Sequence, residues 1–149
     1  MSKALDFKSM NYKKFYADLF SGIVNEYGEL DPETLTAIIG FSGGGPVSLN
    51  KISRKNLFVT CELALYPEQK RSTEQLRYEF MATDFSDVGW CQSVFTALGN
   101  LSFNAVLGDK HTIDITGVSE SGPRLIRLSL FSRCSIDGGQ YGIYKVSPA

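Results

Sequence analysis

Between Tyr12 and Tyr27 the apolar residues Tyr12, Phe15, Tyr16, Leu19, Phe20, Ile23 and Val24 recur at i, i+3 and i+4, which lines one face of an amphipathic helix. Gly28 is placed to stop it. Asp31-Pro32 predicts a turn, and Thr34–Phe41 (TLTAIIGF) reads as a strand containing β-branched residues. The run Ser42-Gly43-Gly44-Gly45-Pro46 breaks that strand and begins an irregular loop ending near Asn56. Asn56–Tyr66 (NLFVTCELALY) then reads as a central strand. Leu57, Val59, Cys61, Leu63 and Leu65 alternate onto one face, and Phe58, Thr60, Glu62, Ala64 and Tyr66 form a second, also mostly apolar. A strand covered on both sides lies deep in the fold, which singles out its one carboxylate, Glu62.

Pro67–Glu74 is a polar connection, and Leu76–Thr83 alternates again, with Leu76, Tyr78, Phe80 and Ala82 inward and Arg77 and Glu79 opposite. A hairpin with Asn56–Tyr66 is the simplest pairing. Asp84, Ser86 or Asp87 can cap a helix running to about Leu98, with Trp90, Val94 and Leu98 on one stripe and Gly99-Asn100 as its stop signal. Thr112–Thr116, Arg124–Ser132 and Tyr141–Val146 have the composition or alternation of strands, separated by turns at Ser121-Gly122-Pro123 and Asp137-Gly138-Gly139. Arg124, Arg127 and Ser129 give the second of these strands a wetter face. The predicted order is α-β-β-β-α-β-β-β: a single α+β domain spanning residues 1–149, with a mixed or mainly antiparallel sheet and two main helices packed on it.

Composition adds bounds to this picture. A chain of 149 residues, 43% hydrophobic and 21% charged, can bury a substantial core without disulfides or a structural metal. The net charge of −1, with Lys and Arg scattered in short pairs, is not the footprint of a nucleic-acid binder. Cys61, Cys91 and Cys134 lie far apart with no C-x-x-C spacing, so neither a zinc site nor a disulfide framework is indicated, and Cys61 and Cys91 read as small core residues. No segment has the length needed to span a bilayer, and the first residues lack the apolar run of a secretory signal; with reduced cysteines this favours the cytoplasm.

Four arrangements invite chemistry. Gly43–Gly45 after a strand suggests a phosphate cradle, but neither G-x-x-x-x-G-K-[ST] nor G-x-G-x-x-G is present, so a bent connection is the simpler reading. Asp109 and His111, the only histidine, supply an acid and a base with no nucleophile, and Ser42 is not in a G-x-S-x-G turn. A structural role for His111 is therefore favoured, and no metal or other cofactor is expected. Glu62 and Glu79, on adjacent strands, could work as an acid and base pair in a cleft, but a salt bridge to Arg77 or another cation is favoured. Finally, Tyr66, Tyr78, Tyr141 and Tyr144 could furnish a docking surface, although strand aromatics more often belong to the core.

Taken in order, Ile38-Ile39-Gly40-Phe41-Ser42 before a glycine-containing loop, Cys61-Glu62-Leu63-Ala64-Leu65, the tryptophan-led stretch from Trp90 to Leu98, and Gly108-Asp109-Lys110-His111-Thr112-Ile113 resemble the suppressor-of-fused family, in a short single-domain version similar to bacterial members. The resemblance covers roughly Ile38 to Ile115, with Ala97-Leu98-Gly99 in place of the family's L-x-x-L-A helix ending and Asp84–Gly89 in place of its proline-rich lead. It implies a noncatalytic protein-binding domain, and the bacterial members' likeness to immunity proteins implies a toxin as partner. Glu62, Arg77, Glu79, Asp109 and His111 are then the partner-binding or structural polar candidates. Two other functions stand beside this one. One is a small hydrolase or ligand-binding enzyme using Glu62/Glu79 or Asp109/His111; the other is a homodimerising subunit that associates through an exposed strand, Tyr141–Val146. Neither nucleic acid nor membrane is expected as a partner.

Overall fold

The computed structural model of the chain describes residues 9–83, 87–119 and 122–149, with side chains from residue 12 onward. Helices α1 (Ser9–Leu19) and α2 (Ser21–Tyr27) precede strands β1 (Leu49–Ile52), β2 (Leu57–Thr60) and β3 (Arg77–Ala82). Helix α3 (Val88–Ser102) follows, then β4 (Thr112–Asp114), β5 (Leu125–Ile136) and β6 (Gly139–Pro148). The predicted α+β class holds: one six-stranded mixed sheet, ordered β1-β2-β3-β6-β5-β4, carries helices on both faces. β3 and β6 are parallel neighbours at its centre, and the other neighbouring pairs are antiparallel. A parallel pair needs a long crossover, which α3 and the β4–β5 excursion supply.

Each face has its own core. Phe58, Tyr78, Phe80, Ile126, Leu128 and Tyr144 meet Trp90, Val94, Phe95 and Leu98 of α3. On the other face Leu57, Val59, Met81 and Ile143 meet Phe15, Tyr16 and Leu19 of α1, with Phe20 and Ile23 following. A β-bulge between Leu130 and Ser132 lets β5 serve both. One extra residue reverses the alternation, so Ile126, Leu128 and Leu130 face the α3 core while Phe131, Cys134 and Ile136 join the α1 core. The Asp137-Gly138 turn predicted before β6 is present, both residues having positive φ, 49° and 83°, as a tight two-residue hairpin requires.

Several local expectations are corrected. Thr34–Phe41 is not a strand: Leu35 alone bridges to Leu49, and residues 36–40 are exposed. The strand lies instead in the expected loop, at Leu49–Ile52, where two buried residues flank the half-buried Asn50 and Lys51 and no alternation is visible. The strand expected over Asn56–Tyr66 stops at Thr60; the chain bends at Cys61-Glu62 and enters a 3-10 turn, Leu63–Leu65. The predicted facing fails with it, since Leu63 joins the α3 core and Ala64 the α1 core. The predicted helix from Tyr12 to Tyr27 is broken at Phe20, where φ and ψ are −89° and 4°. Helix α3 does not stop at Gly99-Asn100. It continues to Ser102, and Gly99 is where α3 approaches Leu63 so closely that a Cβ would lie 2.9 Å from a leucine methyl. Asp87 is the observed cap, its Oδ1 accepting from Trp90 N–H; Asp84, Ser86 and Ser121 lie outside the described residues.

Candidate functional site

Glu79 points from β3 toward α1 and is fully buried. Its Oε1 accepts from Thr60 Oγ1 at 2.6 Å and from Leu63 N–H at 3.2 Å, and its Oε2 from Tyr16 Oη at 2.6 Å and Ala64 N–H at 2.8 Å. The bend after β2 explains the arrangement: the 3-10 turn opens with N–H groups that lack partners within the turn, and the carboxylate collects two of them. Thr60 Oγ1 in turn accepts from Phe80 N–H at 2.9 Å, which orients its own proton toward Glu79. Burial raises the Glu79 carboxyl above its ordinary 4.5, and the four hydrogen bonds oppose that, leaving it at about 7.

Glu62 forms a separate node at the bend, with φ −151° and ψ −18°. Its Oε2 accepts from Ser48 N–H at 2.8 Å and its Oε1 from Tyr66 Oη at 2.5 Å. The side chain thereby bonds a backbone amide just outside β1, where the backbone of β2 has turned away. Arg77 does not form the predicted salt bridge with either glutamate; its guanidinium donates to the carbonyls of Tyr66 at 2.9 Å and Gln69 at 3.1 Å. Glu62→Ala would strand the Ser48 amide and the Tyr66 hydroxyl, so a loss of about 1–3 kcal/mol is expected in urea unfolding, with Glu62→Gln losing less.

Asp109 and His111 do not form an acid and base pair. Asp109 Oδ1 accepts from Leu130 N–H at 2.8 Å, while the His111 backbone donates to Gly108 O and accepts from Leu128 N–H. Beside them lies a node the sequence did not suggest. Glu74 Oε1 accepts from Tyr144 Oη at 2.5 Å and Asp109 N–H at 3.1 Å, and Tyr144 Oη is 2.7 Å from Ser72 Oγ. Burial pushes the Glu74 carboxyl up, but the bonds from Tyr144, Thr73 and Asp109 outweigh it and hold it below its ordinary value. Tyr66, Tyr78 and Tyr144 are therefore core residues and not a docking surface. The signal that could have found these contacts is a tyrosine on an apolar face, because a buried phenol needs a partner for its O–H.

The Gly43–Gly45 loop is closed on itself. Gly43 and Gly45 N–H both donate to Gly40 O and Gly44 N–H donates to Phe41 O, so these amides do not form an anion cradle. Gly45 must be glycine, since a Cβ there would lie 1.9 Å from Ile39 O. This closed base presents Ile38, wholly exposed, and Ile39, 62% exposed, at the tip of the segment leading into it. Along α1 and α2 runs a groove of about 580 Å³, walled by Tyr12, Tyr16, Phe20 and Val24 on one side and by Leu30 and Thr34 on the other.

Neither a protein-family model, a curated protein nor a solved structure matches this chain. Among the described residues no group of three or more His, Cys, Asp or Glu side chains is placed to hold a metal ion, and no helix is long and apolar enough to cross a membrane. Strand β6, which includes Tyr141–Val146, lies between β3 and β5, so it offers no edge for the dimerisation expected there.

Proposed function

We propose that this chain is a noncatalytic protein-binding domain of the suppressor-of-fused type, a cytoplasmic immunity protein that neutralises a cognate toxin by binding it. The observation that supports this reading most is the exposed Ile38-Ile39 pair on its closed glycine base. Two largely exposed isoleucines are unfavourable in a free monomer, and an apolar tip whose base is closed by backbone hydrogen bonds loses less conformational entropy when a partner covers it than an unbonded loop would. The same residues open the stretch that resembles the suppressor-of-fused family. The hydrolase reading draws less support, because the carboxylates of Glu62, Glu79 and Asp109 are each bonded to backbone amides of the fold.

Co-expression with the product of a neighbouring toxin-like reading frame tests the proposal. The expected result is restored growth and a stoichiometric complex in size-exclusion chromatography with light scattering. Ile38→Asp combined with Ile39→Asp is expected to weaken that complex by at least about a hundredfold, since each buried isoleucine is worth about 1.5–3 kcal/mol. Its urea midpoint should stay unchanged because both side chains are exposed. Failure of the wild-type chain to bind or rescue would overturn the assignment, and undiminished binding by the double variant would remove the tip from it.

A further inference from the structure

A cavity of about 410 Å³ opens on the same loop that carries the Ile38-Ile39 tip. Phe41, Tyr66 and Phe103 form its floor, and Ser42, Glu68 and Asn100 stand at its rim. The three rings pack against one another with centroids 5.6 to 5.7 Å apart; Phe41 and Tyr66 are buried, Phe103 is half-buried, and the rim residues are exposed. Backbone hydrogen bonds fix each wall in advance. Gly43, Gly44 and Gly45 N–H close the loop around Phe41, Lys70 N–H donates to Ser102 O at 2.9 Å and so ties residues 66–70 to the end of α3, and Phe103 N–H donates to Asn100 O at 3.2 Å. Ile39 reaches the same loop, its Cγ2 lying 3.5 Å from where a Cβ on Gly43 would stand. The apolar tip and the cavity are therefore parts of one surface.

Charge selects what this cavity can take. The Glu68 side chain forms neither an ion pair nor a hydrogen bond among the described contacts. Helix α3 ends here with no basic residue in its last turn, so nothing on the helix offsets the negative end of its dipole. Behind the floor, Tyr66 Oη is bonded to the buried carboxylate of Glu62. No lysine or arginine lines the cavity among the described residues. An anion would meet like charge on Glu68, and an uncharged apolar group would strip water from Glu68 without replacing it. A cation gains from the carboxylate and from the aromatic floor together. A planar guanidinium fits both, because it stacks on a ring while forking to a carboxylate, and the Ser42 hydroxyl and Asn100 amide oxygen are further acceptors for its N–H groups. We propose that this cavity receives an arginine side chain of the protein partner, its guanidinium laid on Phe103 and paired with Glu68, while Ile38 and Ile39 make an apolar contact beside it. The proposal rests on the protein-binding reading and deepens it by making the partner's contact basic next to apolar.

Titration of the intact, isotope-labelled chain with N-acetylarginine methylamide, followed by NMR, tests the pocket without the partner. Saturable shifts confined to the amides of residues 41–44, 66–68 and 100–103 are expected, and the uncharged isostere N-acetylcitrulline methylamide should bind at least about tenfold more weakly. Glu68→Gln is expected to weaken arginine-probe binding by a similar factor and to leave the urea midpoint unchanged, since the Glu68 side chain is exposed and bonds nothing among the described contacts. Equal binding of the two probes, or no saturable shift at these residues, overturns the proposal. In the toxin complex Glu68→Lys is expected to weaken binding by about a hundredfold, because it sets like charge against the arginine. A complex undiminished by Glu68→Lys overturns the pocket and leaves the protein-binding reading standing. Probe binding by a chain that forms no toxin complex overturns the immunity reading and upholds the pocket.

Discussion

Phe80→Ala is expected to lower the unfolding free energy by about 3–5 kcal/mol, a large part of the roughly 5–15 kcal/mol that holds a domain of this kind together. Phe80 lies on β3, which pairs with β2 on one side and β6 on the other, and it is fully buried. Its ring stacks on Phe95 of α3, with centroids 6.5 Å apart and planes 19° apart, and meets Tyr78 edge-on at 5.3 Å. Alanine removes the ring from the middle of the α3 core, where strands paired on both sides cannot collapse into the space. The cost therefore contains a cavity contribution as well as lost transfer energy. Thermal unfolding should show a fall in Tm of roughly 10 °C, and urea unfolding a lower midpoint with an unchanged slope. A loss under about 1 kcal/mol would mean that α3 does not depend on this contact.

Adjacent residues of one strand thus fasten the two helical layers, Phe80 that of α3 and Glu79 that of α1, one by apolar packing and the other by hydrogen bonds. The sequence distinguishes them because alternation places neighbours on opposite faces. It does not disclose that Glu79 is covered. An acidic residue opposite an inward face reads as solvated, and its partner Tyr16 is 63 residues away on a helix whose position no periodicity specifies.

The same contrast between local and distant determinants runs through the fold. Strand β3, helix α3 and the β5–β6 hairpin were legible because period, cap and turn residues sit within each segment. The parallel pairing of β3 with β6 was not, since it depends on a crossover and not on any turn. Thr34–Phe41 misled because isoleucine and threonine carry strand propensity wherever they stand, while the exposure of Ile38 and Ile39 arises from the glycine-closed loop beyond them. The end of β2 was hidden for a different reason. Apart from Glu62, residues 61–66 remain apolar after the chain turns, because a bend between two cores buries its side chains on both sides just as a strand does. Of the candidate polar residues, Glu62 is the one whose burial could be anticipated from apolar neighbours; the amide that holds it, Ser48 N–H, directly precedes the unforeseen strand β1, and those that hold Glu79, Leu63 and Ala64 N–H, come from the unforeseen bend.

Glu79→Ala is expected to destabilise the chain by about 3–5 kcal/mol at pH 5, and by less at higher pH. Four buried polar groups lose their partner at once, and an unsatisfied buried polar group costs about 1–3 kcal/mol, reduced here to the extent that water enters the space. The pH dependence follows from linkage. Folding raises the Glu79 carboxyl from 4.5 to about 7, so the folded chain holds this proton more tightly than the unfolded one. That contribution to stability is complete below 4.5 and is lost as pH rises through 7, whereas alanine has nothing to titrate. The difference between wild type and variant should therefore shrink by about 2–3 kcal/mol between pH 5 and pH 8, since each tenfold difference in proton affinity between the folded and unfolded chains is worth about 1.4 kcal/mol. Urea unfolding of both proteins across that range measures it. A difference that grows with pH would mean that the four hydrogen bonds outweigh burial, and that Glu79 is held ionised in the folded chain.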